Sequence, residues 1–293
     1  MGKGTCLECG TMCQSACSAG AGIEQRTAKD VMQYGVVSID RKAPVHEAVM
    51  LLLDKNISGL VVTGEGRLAG MLSEKDLLRL VHKTEYLPGL VEDYMTVNVT
   101  SFGVEDKLTD ITKQLVESSF RRVPVLYQQR LAGMITRADL IRAYKERFRP
   151  TTDDTPPASQ GEVLAEDVMK HGLLTAEPDT LLYDAMDMIA RHHITGLPVV
   201  DEKMRLLGII TEKDILNCIV DSAPIDATVE AYMTTNVVSF DVKAGLDLIC
   251  ECLIERDFHR VPVVDRGRLV GIISRSDVLR KRVSSFKPPQ PVL

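Results

Sequence analysis

The chain has no tryptophan, and only seven tyrosines and six phenylalanines are spread over its 293 residues. Single strands of nucleic acid are bound on aromatic platforms and along basic grooves. This chain offers neither: Asp and Glu number 41 against 35 Lys and Arg, for a formal charge of −6. The composition argues against nucleic-acid partners. No apolar run approaches the roughly 18 residues that cross a bilayer, so no membrane partner is expected. The first residues lack the apolar core of a secretory signal. A reducing, cytoplasmic setting is the expectation that follows. Catalytic signatures are missing too. There is no Walker loop, no H-E-x-x-H, no Gly-rich dinucleotide fingerprint and no Ser-His-Asp logic. A non-catalytic protein is expected.

What is present is repetition. Gly70-Met71-Leu72-Ser73-Glu74-Lys75-Asp76 returns as Gly133-Met134-Ile135-Thr136-Arg137-Ala138-Asp139. It appears again as Gly208-Ile209-Ile210-Thr211-Glu212-Lys213-Asp214 and as Gly271-Ile272-Ile273-Ser274-Arg275-Ser276-Asp277. The intervals are 63, 75 and 63 residues, and a second marker keeps step: Met32, Met95, Met169 and Met233 each close a short segment such as Glu166-Asp167-Val168-Met169. Four copies of one unit are implied. The long middle interval holds a polar, Pro-rich stretch around Thr151-Thr152-Asp153-Asp154-Thr155-Pro156-Pro157 that cannot bury a face. The copies therefore group as two pairs.

Within a copy the pattern reads β-α-β-β-α, an α/β (α+β) unit. In the fourth, Val237–Phe240 is a short strand, and Leu246, Ile249, Cys250 and Leu253 mark one helix face. Arg260–Val264 and Leu269–Ile273 form a hairpin about Asp265-Arg266-Gly267-Arg268, and a helix begins after Ser274. So small a unit is expected to pair. Odd and even copies differ in kind. The odd ones carry Ser58-Gly59 and Thr195-Gly196; the even ones carry Arg121-Arg122 and His259-Arg260 before a Val-Pro.

The repeated hydroxyl and acid have two readings. Ser or Thr at a strand-to-helix junction with an acid three residues later is a capping box. Yet such boxes favour Glu or Gln, and all four copies use Asp. A helix N-terminus at a sheet edge also suits an anion. The two readings are compatible.

The Gly-apolar-apolar-Thr/Ser-x-x-Asp phrase, the Pro-Val-Val hairpin and the Asp-Val-Met segment together resemble the CBS domain. The resemblance runs from Thr27 to Val283. It implies four CBS repeats paired into two Bateman modules, an organisation similar to the AMP-activated kinase gamma subunit. The expected divisions are a Cys-rich, flexible tail (1–25), repeats at 26–84 and 85–149, a linker (150–161), repeats at 162–221 and 222–283, and a flexible tail (284–293). The resemblance implies that AMP, ADP, ATP or a related adenosyl ligand such as S-adenosylmethionine binds in clefts between paired repeats. The Asp would hold the ribose diol and the Thr or Ser would lie near the phosphate. That suits the chemistry, since a diol donates to a carboxylate and a phosphate accepts from Arg. The first-choice pocket is Thr195, His259, Arg260, Ser274, Ser276 and Asp277. The second is Ser58, Arg121, Arg122, Thr136 and Asp139. Weaker sites are expected at Ser73 with Asp76 and at Thr211 with Asp214, where Lys75 or Lys213 would supply a lone charge.

No other cofactor is required. The resemblance implies a sensor that regulates an unidentified partner protein, its modules closing into a disc or pairing with a second chain as a homodimer. Two alternatives stand beside it. One is an interaction scaffold whose clefts bind nothing. The other is a metal or redox sensor, because Cys6, Cys9, Cys13 and Cys17 fall in a C-x2-C-x3-C-x3-C run that could take zinc or an iron–sulfur cluster.

Overall fold

A computed structural model describes residues 23–81, 88–146, 163–221, 224 and 226–284. The first copy runs β1 (Ser38–Asp40), α1 (Val45–Asp54), β2 (Gly59–Gly64), β3 (Arg67–Ser73) and α2 (Glu74–Val81). The second runs β4 (Phe102–Gly103), α3 (Leu108–Glu117), β5 (Arg122–Tyr127), β6 (Arg130–Thr136) and α4 (Arg137–Glu146). The third has α5 (Leu182–His192), β7 (Gly196–Val200), β8 (Leu206–Thr211) and α6 (Glu212–Val220). The fourth has β9 (Phe240–Asp241), α7 (Leu246–Glu255), β10 (Arg260–Asp265), β11 (Arg268–Ser274) and α8 (Arg275–Ser284). The fold is mixed α/β, built of four small sheets, as the repeat pattern predicts.

In each copy an antiparallel hairpin carries the sheet, and the short first strand adds in parallel. Three hairpins turn in two residues, both at positive φ: Glu65-Gly66, Gln128-Gln129 and Arg266-Gly267. Such mirror-image turns match the twist of the flanking strands. The first strand is shorter than the sequence suggests. In the fourth copy only Phe240 and Asp241 pair with β10, and in the third it shrinks to one bridge between Ala176 and Val199.

The two repeated markers touch each other, and they do so between copies. Met32 lies over Gly133, Met95 over Gly70, Met169 over Gly271 and Met233 over Gly208. The residue after each Met then forms a two-bond bridge with the residue after that Gly. Gln33 pairs with Met134 (2.8 and 3.0 Å), Thr96 with Met71 (2.8 and 3.0 Å), Lys170 with Ile272 (2.9 and 3.1 Å) and Thr234 with Ile209 (2.9 and 3.0 Å). The lead-in segment of every copy thus packs on the other member of its pair.

The helices join the pairs. Helices α1 and α2 pack on α5 and α6, and α3 and α4 on α7 and α8. One apolar core therefore joins the odd copies, through Leu52, Leu77, Leu78, Ile189, Ile215 and Leu216. A second joins the even copies, through Ile111, Leu115, Ile141, Ile249, Leu253 and Leu279. Among the described residues neither module has a core of its own. Heat should accordingly unfold the chain in one cooperative transition, with calorimetric and van't Hoff enthalpies in agreement. Two resolved transitions in scanning calorimetry would contradict the shared cores.

Candidate functional site

Each phrase folds the same way: a strand ends on the hydroxyl residue and a helix starts on the next. The backbone N–H of that residue donates to Oδ2 of the Asp, from Ser73 to Asp76 at 2.9 Å, Thr136 to Asp139 at 2.8 Å, Thr211 to Asp214 at 2.8 Å and Ser274 to Asp277 at 3.0 Å. The hydroxyl donates to the same oxygen in every copy. In three copies the Asp N–H donates back to the hydroxyl at 3.3–3.4 Å. In the fourth, Ser274 Oγ also meets Ser276 Oγ at 2.8 Å. Asp therefore completes the reciprocal cap that sequence reasoning reserves for Glu or Gln.

The cap leaves the second oxygen of each carboxylate. Oδ1 of Asp139 accepts from Gln33 Nε2 at 3.0 Å and Arg142 Nη1 at 3.1 Å. Oδ1 of Asp277 faces Lys170 Nζ at 3.2 Å and Arg280 Nη1 at 3.6 Å. Oδ1 of Asp76 and of Asp214 meets no donor among the described residues, for Thr96 and Thr234 stand where Gln33 and Lys170 reach in. The even carboxylates are buried and the odd ones half-buried. The sequence ranks the even sites first; the Oδ1 atoms that no described donor reaches belong to the odd copies. Burial pushes the Asp214 carboxyl up, against the pull of its bonds to Thr211.

The basic residues meet where the two pairs face each other. Arg122 Nη1 donates to the Gly59 carbonyl at 3.0 Å, and its Nη2 donates to Ser58 Oγ. Arg260 repeats this in the other pair, with the Gly196 carbonyl at 3.4 Å and Thr195 Oγ1. Ser58 and Thr195, both named by the sequence as pocket residues, hold these arginines. His259 crosses to the first module, its Nε2 3.2 Å from Ser58 Oγ. Arg121 crosses the other way, its Nη2 3.5 Å from Glu212 Oε2. The two pockets drawn separately from the sequence thus share one centre.

That centre is poorly solvated and incompletely paired. Burial, then the charge of Arg121, lowers Arg122 and Arg260 to about 10. Burial and the same arginines hold His259 well below the usual imidazole range, so its ring is neutral near pH 7. Arg121 Nη1, Arg260 Nε and Glu212 Oε1 are buried without a partner among the described residues.

Sequence reasoning missed Glu74 and Glu212. They are the first residues of α2 and α6, buried to 6% and 1% exposure. The signal was present: the odd copies have Glu where the even ones have Arg137 and Arg275. Those arginines bend back to the preceding helix ends, Arg137 to the Leu115 and Ser118 carbonyls (3.0 and 2.9 Å) and Arg275 to the Leu253 carbonyl (2.8 Å). The glutamates lie against the arginine centre instead. Burial, with the charge of Glu212 beside it, pushes the Glu74 carboxyl up to about 7. Lys213, offered by the sequence as a lone charge, donates to Asn56 of the first copy. Cys6, Cys9, Cys13 and Cys17 lie outside the described residues, as do 147–162 and 285–293. Among the described residues no group of His, Cys, Asp and Glu could hold a metal ion, and no helix is long and apolar enough to cross a membrane.

The CBS domain model matches residues 28–83, 91–146, 165–221 and 229–284. The protein MJ1225 of Methanocaldococcus jannaschii is 30% identical over 190 residues, 64% of this chain and 68% of its own length. Its crystal structure, described as that of a candidate archaeal homologue of g-AMPK, matches with a TM-score of 0.76 at 21% identity, over 87% of this chain and 99% of that one. Inosine-5′-monophosphate dehydrogenase of the same organism is 33% identical over 119 residues, 40% of this chain and only 23% of that enzyme. CBSX2 of Arabidopsis thaliana, solved in complex with AMP, is 28% identical over 42% of this chain and 97% of that one, with a TM-score of 0.40.

Proposed function

Because the chain belongs to the CBS-domain family, with four repeats between residues 28 and 284, we propose that it is a non-catalytic regulatory sensor of adenosine nucleotides. The observation that carries this is the buried arginine centre. Arg121, Arg122, Arg260 and the His259 ring converge there against two carboxylates, with two guanidinium N–H groups lacking acceptors. Buried positive charge left over in this way is costly unless an anion meets it. A phosphate is the anion that Arg forks hold best. The four caps supply the other half, because one oxygen of each phrase Asp is left over for a ribose diol. A nucleotide would lie with its ribose on Asp76 or Asp214 and its phosphate toward the centre. At Asp139 and Asp277 it would first displace Gln33 or Lys170.

Two pairs meet at that centre, so a bound anion favours whichever packing of the modules brings the arginines closest. The ligand shifts the population of module arrangements by its difference in affinity for them, and a partner protein reads the outer surface.

Calorimetric titration with AMP, ADP, ATP and S-adenosylmethionine tests this. Asp76→Ala and Asp214→Ala are expected to weaken AMP binding by about tenfold or more, the scale of a charge-assisted hydrogen bond. Asp139→Ala and Asp277→Ala should cost less. If ligand-free protein binds none of these compounds, the clefts are closed and the chain is an interaction scaffold.

A further inference from the structure

We propose that the arginine centre is a proton-coupled anion site, in which a phosphate group settles among Arg121, Arg122, His259 and Arg260 as Glu74 takes up one proton from solvent. The inference rests on the adenosine-nucleotide reading for the ligand but adds a residue and a linkage which that reading does not contain.

The geometry singles out Glu74. Helices α2 and α6 pack together across the two modules and begin with Glu74 and Glu212. Glu212 is tied to Arg121 at 3.5 Å. No hydrogen bond from a described side chain reaches the Glu74 carboxylate. The charges facing Glu74 are Glu212, Arg121, Arg122 and Lys213. Those facing Glu212 are Arg121, Arg260 and Lys75. Burial pushes the Glu212 carboxyl up as well, against the pull of Arg121 and Arg260. Glu74, which has no such ion pair among the described residues, is the acid assigned to take up the proton.

An incoming phosphate puts two negative charges against the arginines that now help keep Glu74 ionised. Like charge raises a carboxyl pKa. Glu74, already about half protonated at pH 7, becomes the neutral acid, and its proton removes the repulsion that would expel the anion. The phosphate does not supply that proton, since a phosphomonoester is almost wholly dianionic at pH 7.5. His259 is the rival proton acceptor, as the same anion would raise it.

The test is calorimetry of the full chain with AMP at pH 7.5 in two buffers of different ionisation enthalpy, beside inorganic phosphate as a bare anion. Proton uptake of roughly 0.5–1 per AMP is expected. So is affinity roughly tenfold weaker at pH 8.5 than at 6.5. Glu74→Gln should keep a wild-type fold, bind AMP and show no uptake, while His259→Gln keeps the uptake. AMP binding without uptake, or uptake that survives Glu74→Gln and vanishes in His259→Gln, overturns the proposal. If AMP gives no heat but phosphate binds with uptake, the nucleotide reading falls and the proton-coupled site stands. If neither binds, both fall.

Discussion

Gly271→Ala is expected to destabilise the protein by about 1–3 kcal/mol, the usual cost of forcing a methyl into a filled space. A Cβ there would overlap Met169 Sδ and lie 2.8 Å from its Cγ and 2.9 Å from its Cβ. The clash runs down to the root of the methionine, so a rotamer change does not relieve it. Shortening the methionine to alanine removes the two closest contacts, with Sδ and Cγ, and leaves only the one with Cβ. In urea titrations, Gly271→Ala with Met169→Ala should be less destabilised than the sum of the single changes, with a coupling of about 1 kcal/mol or more. Gly70 provides the contrast. A Cβ at that position meets the Thr96 carbonyl oxygen at 2.7 Å as well as Met95 Sδ at 2.8 Å. Met95→Ala should therefore rescue Gly70→Ala far less. Equal rescue at both positions would mean that the strand pairing yields rather than the side chain.

Glu74→Gln should stabilise the ligand-free protein at pH 8 by about 3 kcal/mol. Burial pushes the folded carboxyl up to about 7, against 4.5 for an exposed one. Below pH 4.5 it is protonated in both folded and unfolded chains, and the substitution changes little. Between 4.5 and 7 the unfolded chain loses its proton while the folded chain keeps one, so stability falls as pH rises. Above 7 the whole penalty is in place, and Gln, which mimics the neutral acid, removes it. Denaturant midpoints at pH 4, 6 and 8 for both proteins trace this out. A constant difference across that range would mean that Glu74 is ionised throughout.

Much of the unit was legible in the sequence. Leu246, Ile249, Cys250 and Leu253 do line the buried face of α7, and the hairpin about Arg266-Gly267 turns where Asp and Gly mark it. The period of the Gly and Met markers was plain. Their contact was not, because a period says which residues are equivalent and nothing about which copy each one touches. The shared cores were hidden for a similar reason: the apolar faces of the helices are alike, so spacing does not say that odd packs on odd. Which of the phrase carboxylates are already engaged was not legible either. Gln33 and Lys170 lie about 106 residues before the acids they engage, while Thr96 and Thr234, the residues after the other two marker methionines, follow Asp76 and Asp214 by 20 residues and are too short to engage them. Glu74 and Glu212 were visible as letters within the phrase, but only their burial gives them a role.

The crossed lead-in segments constrain how such a chain can be lengthened, shortened or cut. Each copy brings the cover for its neighbour's glycine ridge and borrows its own. Deleting one copy would strip a bridge from the copy left behind and leave a segment with nothing to cover. The crossing bridges thus survive only when repeats are gained or lost in twos, whereas the cores that join odd to odd and even to even hold the two pairs together. A break between the pairs spares the bridges where a break inside a pair severs them.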